Sequence, residues 1–137
     1  ERIEYLLLGQ HFYELAPGVY SFSMKEKSGQ ADGIVRAELA GVESGYFSGV
    51  AHPERSYRYL KPGEMADVGL AKELVVAARE HHIPLERNLS SLEIGQYYPD
   101  MFWKHCPDDY LVGLDAHSVS EMVRRYHEAA FWDEMEE

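Results

Sequence analysis

The chain has 137 residues, 45% of them hydrophobic, enough for one packed core, so a single domain is expected. Its 13 Lys and Arg stand against 24 Asp and Glu, and the resulting charge of −11 repels nucleic-acid phosphates and anionic membrane surfaces alike. No basic stripe offsets that charge, and no apolar run approaches the roughly 20 residues a membrane-spanning helix requires, so neither nucleic acid nor membrane is expected as a partner.

Cys106 is the only cysteine, which rules out an internal disulfide, and the N-terminus lacks the pattern of a secretory leader. A soluble protein in a reducing cytoplasm is expected. The chain opens on Glu1 rather than Met and enters a strand-like segment by Glu4, which reads as a piece of a longer protein.

In chain order, Tyr5-Leu6-Leu7-Leu8 before Gly9 predicts a short strand buried on both faces. Pro17, Gly18, Ser21, Ser23, Ser28 and Gly29 make the segment from Phe12 to Gln30 a loop. Asp32 is the expected cap of a helix that turns Ile34, Val35, Ala37, Leu39, Ala40 and Val42 inward and stops at Gly45. Tyr46 to Ala51 is a second strand, ending at His52-Pro53. Beyond Pro62-Gly63, the spacing of Met65, Val68, Leu70, Ala71, Leu74, Val75 and Ala78 predicts a helix over 65–81.

Ile83 to Asn88 reads as a third strand with Pro84 at its entrance, followed by a loop and a short helix around Met101 to His105. Tyr110 to Leu114 is the fourth strand. Ser118 or Ser120 can cap a last helix through Met122, Val123 and Tyr126, and Asp133 to Glu137 form a solvated tail. Four strand-then-helix units in succession predict an α/β fold with a parallel sheet.

In such folds reactive groups collect at the C-terminal ends of the strands, where the loops converge. His11 follows the first strand, His52 the second, Glu86 and Asn88 end the third, and Asp115 and His117 follow the fourth. Imidazole and carboxylate donors together suit zinc, iron or manganese. Each residue also has a plain structural explanation. His52 before Pro53 could be a turn residue, Asp115-Ala116-His117-Ser118 a helix-entry cap, and His11 a histidine beneath a loop. Their recurrence at equivalent points of successive units favours a shared site.

Arg55 and Arg58 lie on the loop after His52, where a guanidinium could grip phosphate oxygens, Arg55 being the candidate substrate-binding residue, or stand as a solvated loop charge. His81 and His82 fall at a helix end, and His105 and His127 read as surface residues of helices. Cys106 reads as an inert thiol, and Tyr97, Tyr98, Phe102 and Trp103 as a packed cluster.

Four segments, Leu6-Leu7-Leu8-Gly9-Gln10-His11-Phe12, Gly49-Val50-Ala51-His52-Pro53, Leu85-Glu86-Arg87-Asn88 and Leu111-Val112-Gly113-Leu114-Asp115-Ala116-His117-Ser118, occur in the order seen in PHP (polymerase and histidinol phosphatase) phosphoesterases. With Tyr97-Tyr98-Pro99 before a short helix, the set resembles the histidinol-phosphatase branch over nearly the whole chain. The resemblance implies a partial PHP domain over residues 1–137, the C-terminal four βα units of a distorted (β/α)7 barrel that carries up to three metal ions. It implies His11 and His52 as ligands of one metal, with Asp115 and His117 serving the two neighbouring metals and, through them, catalysis. Glu86 and Asn88 would orient ligands or line the pocket.

The family's His-x-His pair, further His and bridging Glu have no counterpart here, and Arg87 stands where the family has an apolar residue. The resemblance thus implies a parent enzyme that hydrolyses a phosphomonoester, L-histidinol phosphate foremost, and an inactive isolated half whose exposed sheet edges invite self-association. The competing readings are a non-catalytic metal-binding or interaction domain and a PHP-type nuclease, the latter opposed by the acidic charge.

Overall fold

The computed structural model describes residues 3–25, 27, 29–106 and 110–135, with side-chain surroundings through residue 128. In order, the elements are β1 (Leu7–Leu8), β2 (Glu14–Ala16), β3 (Val19–Tyr20), α1 (Gln30–Glu43), β4 (Gly49–Val50), α2 (Val68–Glu80), β5 (Leu85–Asn88), α3 (Leu89–Glu93), β6 (Tyr110–Gly113) and α4 (Val119–Met135). Single 3-10 turns occupy Ser21–Ser23, Arg55–Tyr59 and Trp103–His105.

The fold is mixed α/β. Its main sheet has the order β1-β4-β5-β6 with every pairing parallel, while β2 and β3 form a separate antiparallel hairpin. Sheet neighbours follow one another along the chain, so the sheet is wound in one direction with no reversal point. Crossovers of the usual right hand then place the helices on one face. Leu8, Val50 and Leu85 share that face through the registers Leu8↔Val50 and Val50↔Leu85, and all three are buried. Against them pack Ala31, Val35 and Val42 of α1 and Leu70, Ala71, Leu74, Val75 and Ala78 of α2. The opposite face is bare at Leu7 and Leu111, 44% and 42% exposed.

Local chemistry sets the helix ends. The Asp67 side chain accepts the Leu70 N–H at 3.1 Å and starts α2, while Asn88 accepts the Ser91 N–H at 3.0 Å and starts α3. Ser118 Oγ accepts the Glu121 N–H at 3.2 Å in the first turn of α4. Gly45, with φ 74°, takes the left-handed conformation that lets the chain leave α1.

Several expectations are corrected. The first strand is only Leu7–Leu8 and lies at a sheet edge, so Tyr5, Leu6 and Leu7 are exposed rather than buried on both faces. The expected loop contains the hairpin, with Pro17-Gly18 as its turn. Asp32 does not cap α1, which starts behind Gly29; its carboxylate instead accepts the Asp67 N–H at 3.4 Å. Ala40 is exposed and Glu38 buried, because α1 also packs against the turn Arg55–Tyr59. Met65 lies outside α2 and is exposed. The loop after β5 opens with α3, and the short helix near Met101 is a 3-10 turn. His105 is half-buried rather than a surface residue. Helix α4 continues through Met135 into the expected tail, whose last two residues lie outside the described residues.

The aromatic cluster is packed as expected. Tyr57 meets Tyr98 and Phe102 edge to face, and Trp103 stacks on Tyr97. Arg87 joins this cluster, its guanidinium 3.8 Å from the Tyr110 ring centre and 5.2 Å from that of Trp103, which is cation–π geometry. No helix of the described residues is long and apolar enough to cross a membrane. Leu74, fully buried between α2 and the sheet, tests this core: Leu74→Ala should lower unfolding free energy by about 2–5 kcal/mol in urea denaturation.

Candidate functional site

Because the four strands are parallel, their C-terminal ends share one edge. His11 follows β1 and His52 follows β4, and their rings lie 5.0 Å apart, tilted by 54°. His52 is buried and has φ 35°, a left-handed conformation unusual for a residue with a side chain. Its N–H donates to Glu86 Oε2 at 3.0 Å, and Asn88 Nδ2 donates to the same oxygen at 3.1 Å. Gly113, paired with Asn88, makes room for this arrangement, since a Cβ there would fall on the Glu86 carboxylate.

Arg55 ties this end of the sheet together. Its Nε donates to Ser91 Oγ at 3.0 Å, and its Nη2 donates to Asn88 Oδ1 and to Asp115 Oδ2, each at 2.9 Å. One guanidinium thus links the loop after β4, the start of α3 and the loop after β6. Asn88 Oδ1 serves twice, accepting from Arg55 and capping α3.

Asp115 also has a left-handed backbone, with φ 46°. Its carbonyl accepts from Arg125 Nη1 at 2.6 Å and from His117 Nδ1 at 3.0 Å, and Arg125 Nη1 reaches the Leu114 carbonyl at 2.9 Å. Since a carbonyl only accepts, Nδ1 of His117 is the donor in that bond. Arg125 is buried and held by Glu93 Oε2 at 2.7 Å, with Arg124 on the other oxygen of Glu93. Neither Glu93 nor Arg125 was legible as a site residue, because the two are far apart in sequence and a charge on a helix reads as solvated.

The electrostatics follow from burial and from Arg55. Burial, then the charges of Arg55 and His11, pushes His52 down to about 4. Burial, then Arg55 and Arg58, also lowers His11, and Asp115 opposes the shift at both rings. Burial would raise Asp115, but the Arg55 hydrogen bond and charge, with His117 and His52, bring it below the usual carboxylate range. At neutral pH the edge therefore presents two neutral imidazoles beside an ionised carboxylate. Beneath it Glu54, fully buried, accepts from Trp103 Nε1 at 3.0 Å and is pushed up to about 7 by burial.

The structure brings together His11, His52, Arg55, Glu86, Asn88 and Asp115. His117 is exposed and bonded to the Asp115 backbone, without ring contact to either other histidine. Arg58 is also exposed and lies against Tyr59. Among the described residues no group of three or more His, Cys, Asp or Glu stands ready to hold a metal ion. No protein-family model, curated protein or solved structure matches the chain.

The Arg125–Glu93 pair anchors the Asp115 loop to α3 and α4. Glu93 is held down to about 2 from 4.5, first by its hydrogen bonds to Arg125 and Arg124, so its contribution is present above 4.5 and is lost as pH falls towards 2. Arg125→Met should lower the melting temperature at pH 7 and flatten its acid-side fall, as followed by circular dichroism between pH 7 and 2.

Proposed function

We propose that the chain is the C-terminal half of a PHP-type barrel and that the complete protein is a metal-dependent phosphomonoester hydrolase. One-directional winding is the winding of a barrel, and the sheet face left exposed at Leu7 and Leu111 corresponds to a barrel interior. The observation that carries the metal-binding part is His52 Nδ1. It is buried without a hydrogen-bond partner among the described residues, in a ring that faces His11 and feels the Asp115 charge. A buried polar atom left in that state calls for a partner, and neutral imidazoles beside a carboxylate suit zinc, manganese or iron.

On this reading His11 and His52 hold one ion, and Asp115 and His117 serve its neighbours, with up to three ions in the whole barrel. A bound divalent ion supplies a Lewis acid that polarises the phosphoryl group and acidifies water. The chain's own residues do the positioning. Glu86 fixes the His52 backbone, Asn88 aligns Arg55, and Arg55 offers a planar cation to the oxygens of a small phosphorylated substrate. By resemblance that substrate is L-histidinol phosphate. The remaining ligands lie in the part of the barrel this chain lacks, so the isolated half is expected to be inactive.

A second reading, association without catalysis, is favoured by the bare sheet face. Tyr5, Leu6, Leu7 and Leu111 are exposed there and at the two open edges, and could pair with a second copy.

The two readings separate in one experiment, measuring metal content and p-nitrophenyl phosphate hydrolysis for this chain and for a version extended upstream through a His-x-His pair. The extended protein should hold two or three ions and hydrolyse the ester, and His11→Ala should reduce hydrolysis at least about hundredfold. An extended protein that holds no metal, or holds metal without hydrolysing the ester, would sink the hydrolase proposal.

A further inference from the structure

Asp115 is close enough to both imidazoles to act on them electrostatically, yet no three-ligand group is assembled. Arg55 holds the Asp115 carboxylate instead. Its Nη2 occupies Asp115 Oδ2 at 2.9 Å, and it lies near the same two rings, where its charge has the larger effect on each. We infer that Arg55 is an internal cation that holds Asp115 while no metal is bound, and that metal binding is an exchange in which the ion replaces the guanidinium on the carboxylate. The inference rests on the metal-binding reading of the site and adds a device that sets its affinity.

The geometry suits such an exchange. Asp115 gives Arg55 one of its three hydrogen bonds, and those to Ser91 and Asn88 remain when the carboxylate leaves. The guanidinium therefore keeps its place on β5 and α3, and only the link to the β6 loop is broken. The Asp115 backbone is pinned separately by Arg125, so the carboxylate can change partner by rotating its side chain. Without an ion, the same pair spares the site an uncompensated carboxylate beside the buried His52 ring. A dication entering between them competes with a cation already in place, and weak or monovalent cations lose that competition.

Calorimetric titration with zinc ion at pH 7.5 tests the exchange on the 137-residue chain and on Arg55→Gln, Arg58→Gln and Arg55→Gln/Asp115→Asn. Arg58 is the control, because it reaches His11 through charge but makes no bond to Asp115. Arg55→Gln should bind about tenfold more tightly, the size of effect expected from removing one charge-assisted hydrogen bond. Arg58→Gln should stay within about twofold, and the double variant should lose the gain. If Arg55→Gln binds no tighter than the unaltered chain, or Arg58→Gln gains as much, the exchange is wrong while the metal site stands. If none of the four proteins binds zinc, the exchange falls, and the metal reading is decided by the extended protein. Should Arg55→Gln fail to fold, NMR of the unaltered chain decides: the Arg55 Nη2 proton resonances should shift when zinc is added, and unmoved resonances overturn the exchange.

Discussion

A parallel sheet wound in one direction imposes a single geometric constraint: every strand ends on the same edge, and whatever follows each strand must share that edge with the others. The burial of Leu8, Val50 and Leu85 beneath α1 and α2 fixes the register of three strands, and Leu85↔Tyr110 adds the fourth. Once that register holds, the loops that carry His11, His52 and Asp115 start from the same edge as Asn88. The polar network at the edge is then a consequence of the core beneath it. Arg55 can reach Ser91, Asn88 and Asp115 together only because β4, β5 and β6 are adjacent.

The edge itself is a layered electrostatic structure. Arg55 and Arg125 approach Asp115 from its two ends, one on the carboxylate and one on the carbonyl. Each arginine is in turn held by one end of α3, Asn88 and Ser91 at its start for Arg55, and Glu93 at its end for Arg125. The five-residue helix α3 is thus the common mount for both cations. That gives a short and easily overlooked element a large share in placing the carboxylate, and it explains why Asn88 both ends a strand and caps a helix.

Much of this was legible in the sequence. The strands appear as short apolar runs, and α2 as an apolar stripe at helical spacing whose members Leu70, Ala71, Leu74, Val75 and Ala78 are all buried. What was missed had little signal. The hairpin is exposed on all of its strand residues, so it carries no apolar alternation, and α3 is too short to show a period. Helix α4 reverses the usual pattern: Val119, Met122, Val123 and Tyr126 are exposed while Arg125 is buried, so reading its apolar residues as the inner face points away from the contact that matters. Glu38 is hidden for a similar reason, since a carboxyl on α1 reads as solvent-facing until the turn Arg55–Tyr59 is seen to cover it. Burial, then the charge of Glu54, pushes its carboxyl well above the usual range.

His52 and Asp115 both sit in left-handed backbone conformations, which glycine adopts without a steric penalty and which cost an L-residue about 1–2 kcal/mol. At these two positions stability and side-chain chemistry pull in opposite directions. Glycine at 52 or 115 would relieve that backbone cost but remove an imidazole or a carboxylate from the strand-end edge, and at 115 also the bond to Arg55, so an easier backbone and the side-chain chemistry exclude each other at these positions.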